Sequence, residues 1–130
     1  VEMSMYIQRN YGLPTHYLER LTFRTDGFVS VHAGYQPGEL LTRPFTFTGT
    51  QLTLNLSSSA AGGVFVEIQD ATGSPISGFT LADCSELNTD DLARVVSWKN
   101  GTDVSSLAGK PIRLRFRLKD ADLYALQFVK

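Results

Sequence analysis

Four basic side chains on alternate positions, Arg113, Arg115, Arg117 and Lys119, are the most distinctive chemical feature of this 130-residue sequence. A spacing of two puts them on one face of a β-strand, with Ile112, Leu114, Phe116 and Leu118 on the other. Like charges aligned in this way repel unless something compensates them. Acids on a neighbouring strand would do so, and Glu67 is the simplest cross-strand partner. An acidic sugar or an acidic partner surface would do so equally, because arginine presents a planar, bidentate fork to carboxylate or sulfate.

Aromatic residues form the second group. They are Trp98, Tyr6, Tyr11, Tyr17, Tyr35, Tyr124 and Phe65. Sugar rings have apolar C–H faces, so a flat aromatic ring with a few polar anchors beside it makes a sugar platform. Tyr11 and Tyr17 flank Gly12-Leu13-Pro14-Thr15-His16, and Tyr35 sits in Gly34-Tyr35-Gln36-Pro37-Gly38. Loop aromatics tend to stand exposed. Trp98 follows Val95 and Val96 on a strand, where a core or rim position with a bonded indole N–H is the plainer expectation. Trp98, Tyr35, Tyr11 and Tyr17, with Arg115 and Arg117 as anchors, are the candidate ligand-binding set.

Catalytic patterns are weaker. No Gly-x-Ser-x-Gly string occurs, and Cys84, His16 and His32 stand in no recognisable nucleophile–base order. A glycosidase needs two carboxyl groups about 5 to 9 Å apart across a cleft. Glu67 is mid-strand, and an ion pair with the arginine face is the simpler role. Asp120-x-Asp122 offers oxygen to calcium, yet two acids in a turn fall short of the six to eight ligands calcium takes. One cysteine and two histidines make a poor zinc set and allow no internal disulfide. No catalytic residue, metal or cofactor is assigned.

Composition bounds the class. The chain is 42 % hydrophobic and 19 % charged, a globular profile and not a disordered one. Twelve Lys and Arg against thirteen Asp and Glu give a net charge of −1, which argues against nucleic acid as a partner. No apolar run is long enough for a transmembrane helix, so no membrane role is expected. The first residue is Val1 and not Met, which suggests a piece of a larger multidomain protein. A missing signal peptide therefore says nothing about export.

The elements that must position these residues read as nearly all β. Leu52, Leu54 and Leu56 alternate with polar residues, as do Val64, Val66 and Ile68. Further strands are expected near 3–8, 18–24, 28–32, 39–42, 94–98 and 123–129. Asp26-Gly27 predicts a tight hairpin between 18–24 and 28–32. Lys119-Asp120-Ala121-Asp122 predicts another between the last two strands. Ser57 to Gly63 reads as a loop. Residues 88–93 are the one short stretch with helical signals, Asp90 and Asp91 suiting a helix N-terminus. Asp103 to Leu107 is a single helical turn at most. Eight or nine short strands in one domain, 1–130, predict an antiparallel β-sandwich, jelly-roll-like.

Several strings in fixed order add a resemblance. They include Arg24-Thr-Asp-Gly-Phe-Val-Ser-Val31, Gly38-Glu-Leu-Leu-Thr42, Pro44-Phe-Thr-Phe47 and Val66-Glu-Ile-Gln-Asp70. Pro75-Ile-Ser-Gly-Phe79, Asp83-Cys84, Arg94-Val-Val-Ser-Trp98, Leu107-Ala-Gly-Lys-Pro111 and Leu118-Lys-Asp-Ala-Asp-Leu-Tyr124 continue the series. The order resembles the C-terminal β-sandwich that follows a five-bladed propeller in bacterial proteins related to glycoside hydrolase family 32. It covers the chain from about Met5 to Phe128. The family usually has a Gly-Asp pair before the tryptophan strand, where this chain has Thr89-Asp90-Asp91, so no catalytic or metal role passes to those acids. The resemblance implies that catalytic carboxylates belong to the propeller and that the sandwich is an accessory domain. Two functions remain open. One is a non-catalytic carbohydrate-binding module, like those that tether a covalently linked catalytic domain to a polysaccharide or oligosaccharide. The other is a structural sandwich that packs against the propeller and binds no sugar. Either implies a secreted or periplasmic parent protein.

Overall fold

The computed structural model describes residues Glu2 to Lys130, an all-β domain with two antiparallel sheets. The first is a hairpin of β1 (Glu2–Arg9) and β2 (Tyr17–Arg24). The second contains β3 (Val31–Ala33), β4 (Gly38–Leu41), β5 (Gln51–Asp70), β6 (Asp90–Val95) and β7 (Ile112–Val129). Its order is β3-β7-β5-β6, with β4 also on β7. A short 3-10 turn, Ser105–Leu107, lies before β7, and Asp103 Oδ1 accepts the Ser105 N–H at 2.8 Å to start it.

β5 and β7 dominate the sheet and correct two expectations. The alternating runs 52–57 and 64–69 are one strand, and Ser57 to Gly63 lies inside it and not in a loop. Likewise Lys119 to Asp122 turns no hairpin, because β7 runs on to Val129. Both turn signals mark the same irregularity. Pairing runs from Gln51↔Val129 to Ser58↔Ala121, with a one-residue shift at Tyr124 between Asn55 and Leu56, and resumes at Gly63↔Lys119 after a larger one. Residues 59–62 of β5 thus stand against Asp120, whose φ is 42°. Such an insertion bends and twists the ribbon. The Asn88 side-chain amide gathers the carbonyls this frees, donating to Ser59 O at 2.9 Å and to Gly62 O. Gly62 is needed there, since a Cβ would overlap the Lys119 and Asp120 carbonyl oxygens.

The bend lets both halves of the β5–β7 ribbon bury an apolar face. Leu52, Leu54, Leu56, Val64, Val66, Ile68, Leu114 and Phe116 are fully buried, together with Val96 and Val104. Each such side chain contributes on the order of 1.5–3 kcal/mol relative to exposure.

Among the described residues no strand flanks the second half of β5 on the side away from β7. The segment between residues 74 and 87 satisfies that edge bond by bond. Val64 exchanges both backbone bonds with Leu87, at 3.1 and 3.0 Å. Ile68 N donates to Phe79 O and Ile76 N donates to Ile68 O, each at 2.9 Å. Between them the Val66 N–H donates to Cys84 Sγ at 3.3 Å, and the Val66 carbonyl accepts the Trp98 indole N–H at 3.0 Å. Two side chains therefore stand in for a neighbouring strand, as a buried backbone requires.

Two further expectations give way. Residues 88–93 are not helical; β6 begins at Asp90 and pairs with β5. The Asp26-Gly27 turn forms, with Asp26 at φ 57° and Gly27 N bonded to Arg24 O at 3.0 Å. The strands on either side of it pair elsewhere, β2 with β1 and β3 with β7. Local turn chemistry set the reversal, and non-local pairing chose the partners.

The two sheets pack together at the open end of the hairpin. Arg24 Nη1 donates to Asn55 Oδ1 at 3.1 Å, its Nη2 pairs with Asp90, and its guanidinium lies 4.8 Å from the Tyr124 ring centroid. Asn55 Nδ2 returns a bond to Thr25 O at 2.7 Å. From that root the hairpin projects.

Candidate functional surfaces

Register and alternation sort the hairpin side chains onto two faces. Met3 opposes Phe23, Met5 opposes Leu21, Ile7 opposes Glu19 and Arg9 opposes Tyr17. One face therefore carries Met3, Met5, Ile7, Leu21 and Phe23 in an unbroken apolar block. An Arg9–Glu19 ion pair at 2.7 Å closes its far end. The opposite face is mixed, with Glu2 paired to Arg20 at 2.5 Å beside Tyr6 and Leu18. None of the apolar side chains of β1 and β2 joins the hydrophobic core. Among the described residues, nine of the thirteen large exposed hydrophobics fall between Met5 and Val31, which makes this end of the molecule its apolar surface.

The candidate binding residues scatter. Tyr11 and Tyr17 belong to the hairpin turn and to the start of β2, 80 % and 51 % exposed. Tyr11 meets His16 edge-on, with centroids 5.9 Å apart. Tyr35 lies between β3 and β4, 69 % exposed, with Lys119 Nζ 4.6 Å from its ring centroid. Trp98 is 3 % exposed, bonded to Val66 and packed edge-on against Phe79 at 5.3 Å. Its ring offers solvent no open face. No shared aromatic platform forms from the four.

The basic ladder is compensated along part of its length only. Arg113 Nε donates to Thr42 O at 3.3 Å. Arg115 makes a two-bond fork to Glu39, Nη2 to Oε1 at 2.7 Å and Nε to Oε2 at 3.2 Å. Its Nη1 lies 3.6 Å from Glu67 Oε1, the cross-strand pair expected from the sequence. The Arg115 hydrogen bond holds the Glu39 carboxyl below its usual pKa, and Glu39 in turn raises that of Arg115. Glu67 is 4 % exposed and fully engaged, accepting also from Gln69 Nε2 at 2.8 Å and from the Leu81 N–H at 3.1 Å. A carboxylate held by three partners is poorly suited to proton transfer.

Arg117 and Lys119 differ. Among the described residues neither has a carboxylate within 4.0 Å. They flank a shallow cleft of about 150 Å³ that also has Phe65, Gly63, Glu86 and Pro37 in its walls. A second groove of about 220 Å³ lies at the hairpin root, between Thr53, Asn55, Leu92 and Gln127. Among the described residues no three His, Cys, Asp or Glu side chains group as a metal site. Asp122 is engaged otherwise, accepting from Ser30 Oγ at 2.6 Å and lying 3.1 Å from His32 Nδ1.

Sequence reasoning missed the apolar face and Glu86. Alternation was visible in Met3-Met5-Ile7 and in Leu21-Phe23, but alternation is equally the signature of a strand facing its own core. Glu86 carries no local pattern at all. Comparison with protein-family models, curated proteins and solved structures returns no match for this chain.

Proposed function

We propose that this chain is a non-catalytic accessory domain that packs against another protein domain through the β1–β2 hairpin. The observation that carries this reading is the apolar face of Met3, Met5, Ile7, Leu21 and Phe23, which lies outside the hydrophobic core: Met5 is exposed and the other four are half-buried, Phe23 against Phe28. A two-stranded ribbon is marginal in water unless a hydrophobic face is packed against something. The partner is a domain with a complementary apolar surface, and the resemblance to sandwiches that follow a catalytic propeller favours a covalently linked one. That resemblance alone supports a secreted or periplasmic parent protein. We read the main body as a jelly-roll-like sandwich, its layers supplied by the two halves of the bent β5–β7 ribbon.

Methionine oxidation tests the docking. Met3 and Met5 lie on the face concerned, and peroxide converts an accessible methionine to its sulfoxide. Both are expected to oxidise readily in this chain alone and slowly in the protein isolated from its native source. Equal rates in the two preparations would overturn the reading.

Carbohydrate binding is the second reading. Its support is an exposed Tyr35 beside Lys119, and a cleft that Lys119 shares with Arg117, neither cation having a carboxylate within 4.0 Å among the described residues. Affinity electrophoresis against neutral, uronic and sulfated polysaccharides tests it, and retardation by one class alone is the expected result. If none retards the chain, this reading falls and the docking reading stands.

A further inference from the structure

We propose that the cleft between Phe65, Glu86, Arg117 and Lys119 is a subsite for one acidic sugar residue, a uronate. The inference rests on the carbohydrate reading and is independent of hairpin docking. It starts from an asymmetry in the basic ladder. One end is neutralised, with Arg115 forked onto Glu39 and close to Glu67. The other end is not, and the cleft opens there. Register explains the break. Along β5 the residues opposite Arg115, Arg117 and Lys119 are Glu67, Phe65 and Gly63. Acid, aromatic and no side chain follow in turn, so β5 places no acid opposite Arg117 or Lys119 where the open surface begins. Across β4, Glu39 opposes Arg117 in register and feels its charge, but gives the hydrogen bonds of both its oxygens to Arg115.

The walls suit a sugar better than a bare anion. Gly63 lets Glu86 lie across the strand, since a Cβ there would overlap the Glu86 side chain. That carboxylate makes no ion pair within 4.0 Å among the described residues. It would repel a simple anion but accept hydrogen bonds from ring hydroxyls. Arg117 and Lys119 take the sugar carboxylate, Arg117 with the geometry of a fork. Phe65 in the wall supplies apolar surface for the C–H faces, and Tyr35, outside the lining but 4.6 Å from Lys119 Nζ, stands next to it. Two cations, one acceptor and one aromatic ring in the lining match a ring bearing one carboxylate and several hydroxyls.

The test is an NMR titration of this chain with trigalacturonate, neutral galactotriose and a glutamate tripeptide. Trigalacturonate is expected to shift the amides of Gly63, Phe65, Arg117 and Lys119, with a Kd of about 0.1–1 mM. Arg117→Ala is expected to weaken it ~10-fold, and raising salt from about 0.05 to 0.5 M severalfold. Glu86→Gln separates sugar from anion: it is expected to weaken the sugar ~3-fold, whereas an anion-only site would tighten. Equal binding of the glutamate tripeptide, equal binding of the neutral trisaccharide, or tighter binding by Glu86→Gln would each overturn the subsite. Glycan binding that Arg117→Ala leaves intact would overturn it too while preserving the broader carbohydrate reading.

Discussion

Replacing Trp98 by Phe isolates what the only tryptophan does. The phenyl ring keeps the aromatic slot beside Phe79 but removes the donor to the Val66 carbonyl. That carbonyl belongs to a fully buried residue on the open side of β5, and the indole is the partner it has there. An unsatisfied buried acceptor costs about 1–3 kcal/mol, and the smaller ring adds about 1 kcal/mol of lost packing. The expected loss is about 2–4 kcal/mol. With an unfolding entropy of roughly 0.27 kcal/mol/K for a chain of this length, the Tm falls by about 7–15 °C. Far-UV circular dichroism with urea titration measures both quantities in one preparation. A loss below about 0.5 kcal/mol with an unchanged m-value would refute the edge-plug reasoning, because it would mean the carbonyl readily finds another partner. A large loss of polysaccharide binding with no loss of stability would refute it as well, since it would place the ring at a ligand.

Cys84→Ala removes the acceptor of the Val66 N–H and is expected to cost about 1–2 kcal/mol by the same urea titration. The native thiol, pushed up in pKa by burial, should react with iodoacetamide far more slowly than in urea. Arg24→Ala cuts the hairpin root from Asn55, Asp90 and Tyr124. Amide exchange in β1 and β2 should speed up at least tenfold while β5 and β7 keep their protection. Gly62→Ala forces a Cβ onto the β7 backbone and is expected to cost about 2 kcal/mol or more in thermal melts. Acid lowers stability through carboxylates whose folded pKa is depressed: Asp70 by Thr72, Asp83 by Thr80 and then Lys99, Asp103 by Ser105 and Glu39 by Arg115. Their contribution is present above the unfolded carboxylate pKa of about 4 and is lost as pH falls through the lower folded values. A Tm–pH profile should be flat from about pH 7 to 5 and then decline, less steeply in Asp83→Asn. A rise below pH 4 would contradict this.

Much of the fold was legible because alternation is a local property. Leu52-Leu54-Leu56, Val64-Val66-Ile68 and the Arg113–Lys119 ladder all declare a strand with two unlike faces, and each proved to be one. An ion pair between Glu67 and the arginine face followed from those faces, and the register selected Arg115. Strand continuity was not legible. Ser57–Gly63 and Lys119–Asp122 carry loop and turn residues, and only their mutual pairing shows them as the two sides of one bulge. Asp26-Gly27 does form a turn, but the hairpin expected across it between 18–24 and 28–32 does not form, because which strand β2 joins depends on contacts elsewhere in the chain.

The sequence by itself determined the apolar and polar faces of the main strands and the cations of the ladder, since these depend on residue type and a period of two; that Thr53, Asn55, Glu67 and Gln69 on the polar face of β5 are buried as well came from the tertiary structure. Only the tertiary structure decided that Trp98 plugs an edge, that the apolar hairpin stands outside the core, and that Arg115 is ion-paired while, among the described residues, Arg117 and Lys119 have no carboxylate within 4.0 Å. Those outcomes are set by which backbone groups and acids arrive from distant parts of the chain, and no spacing within a strand records what lies beside it.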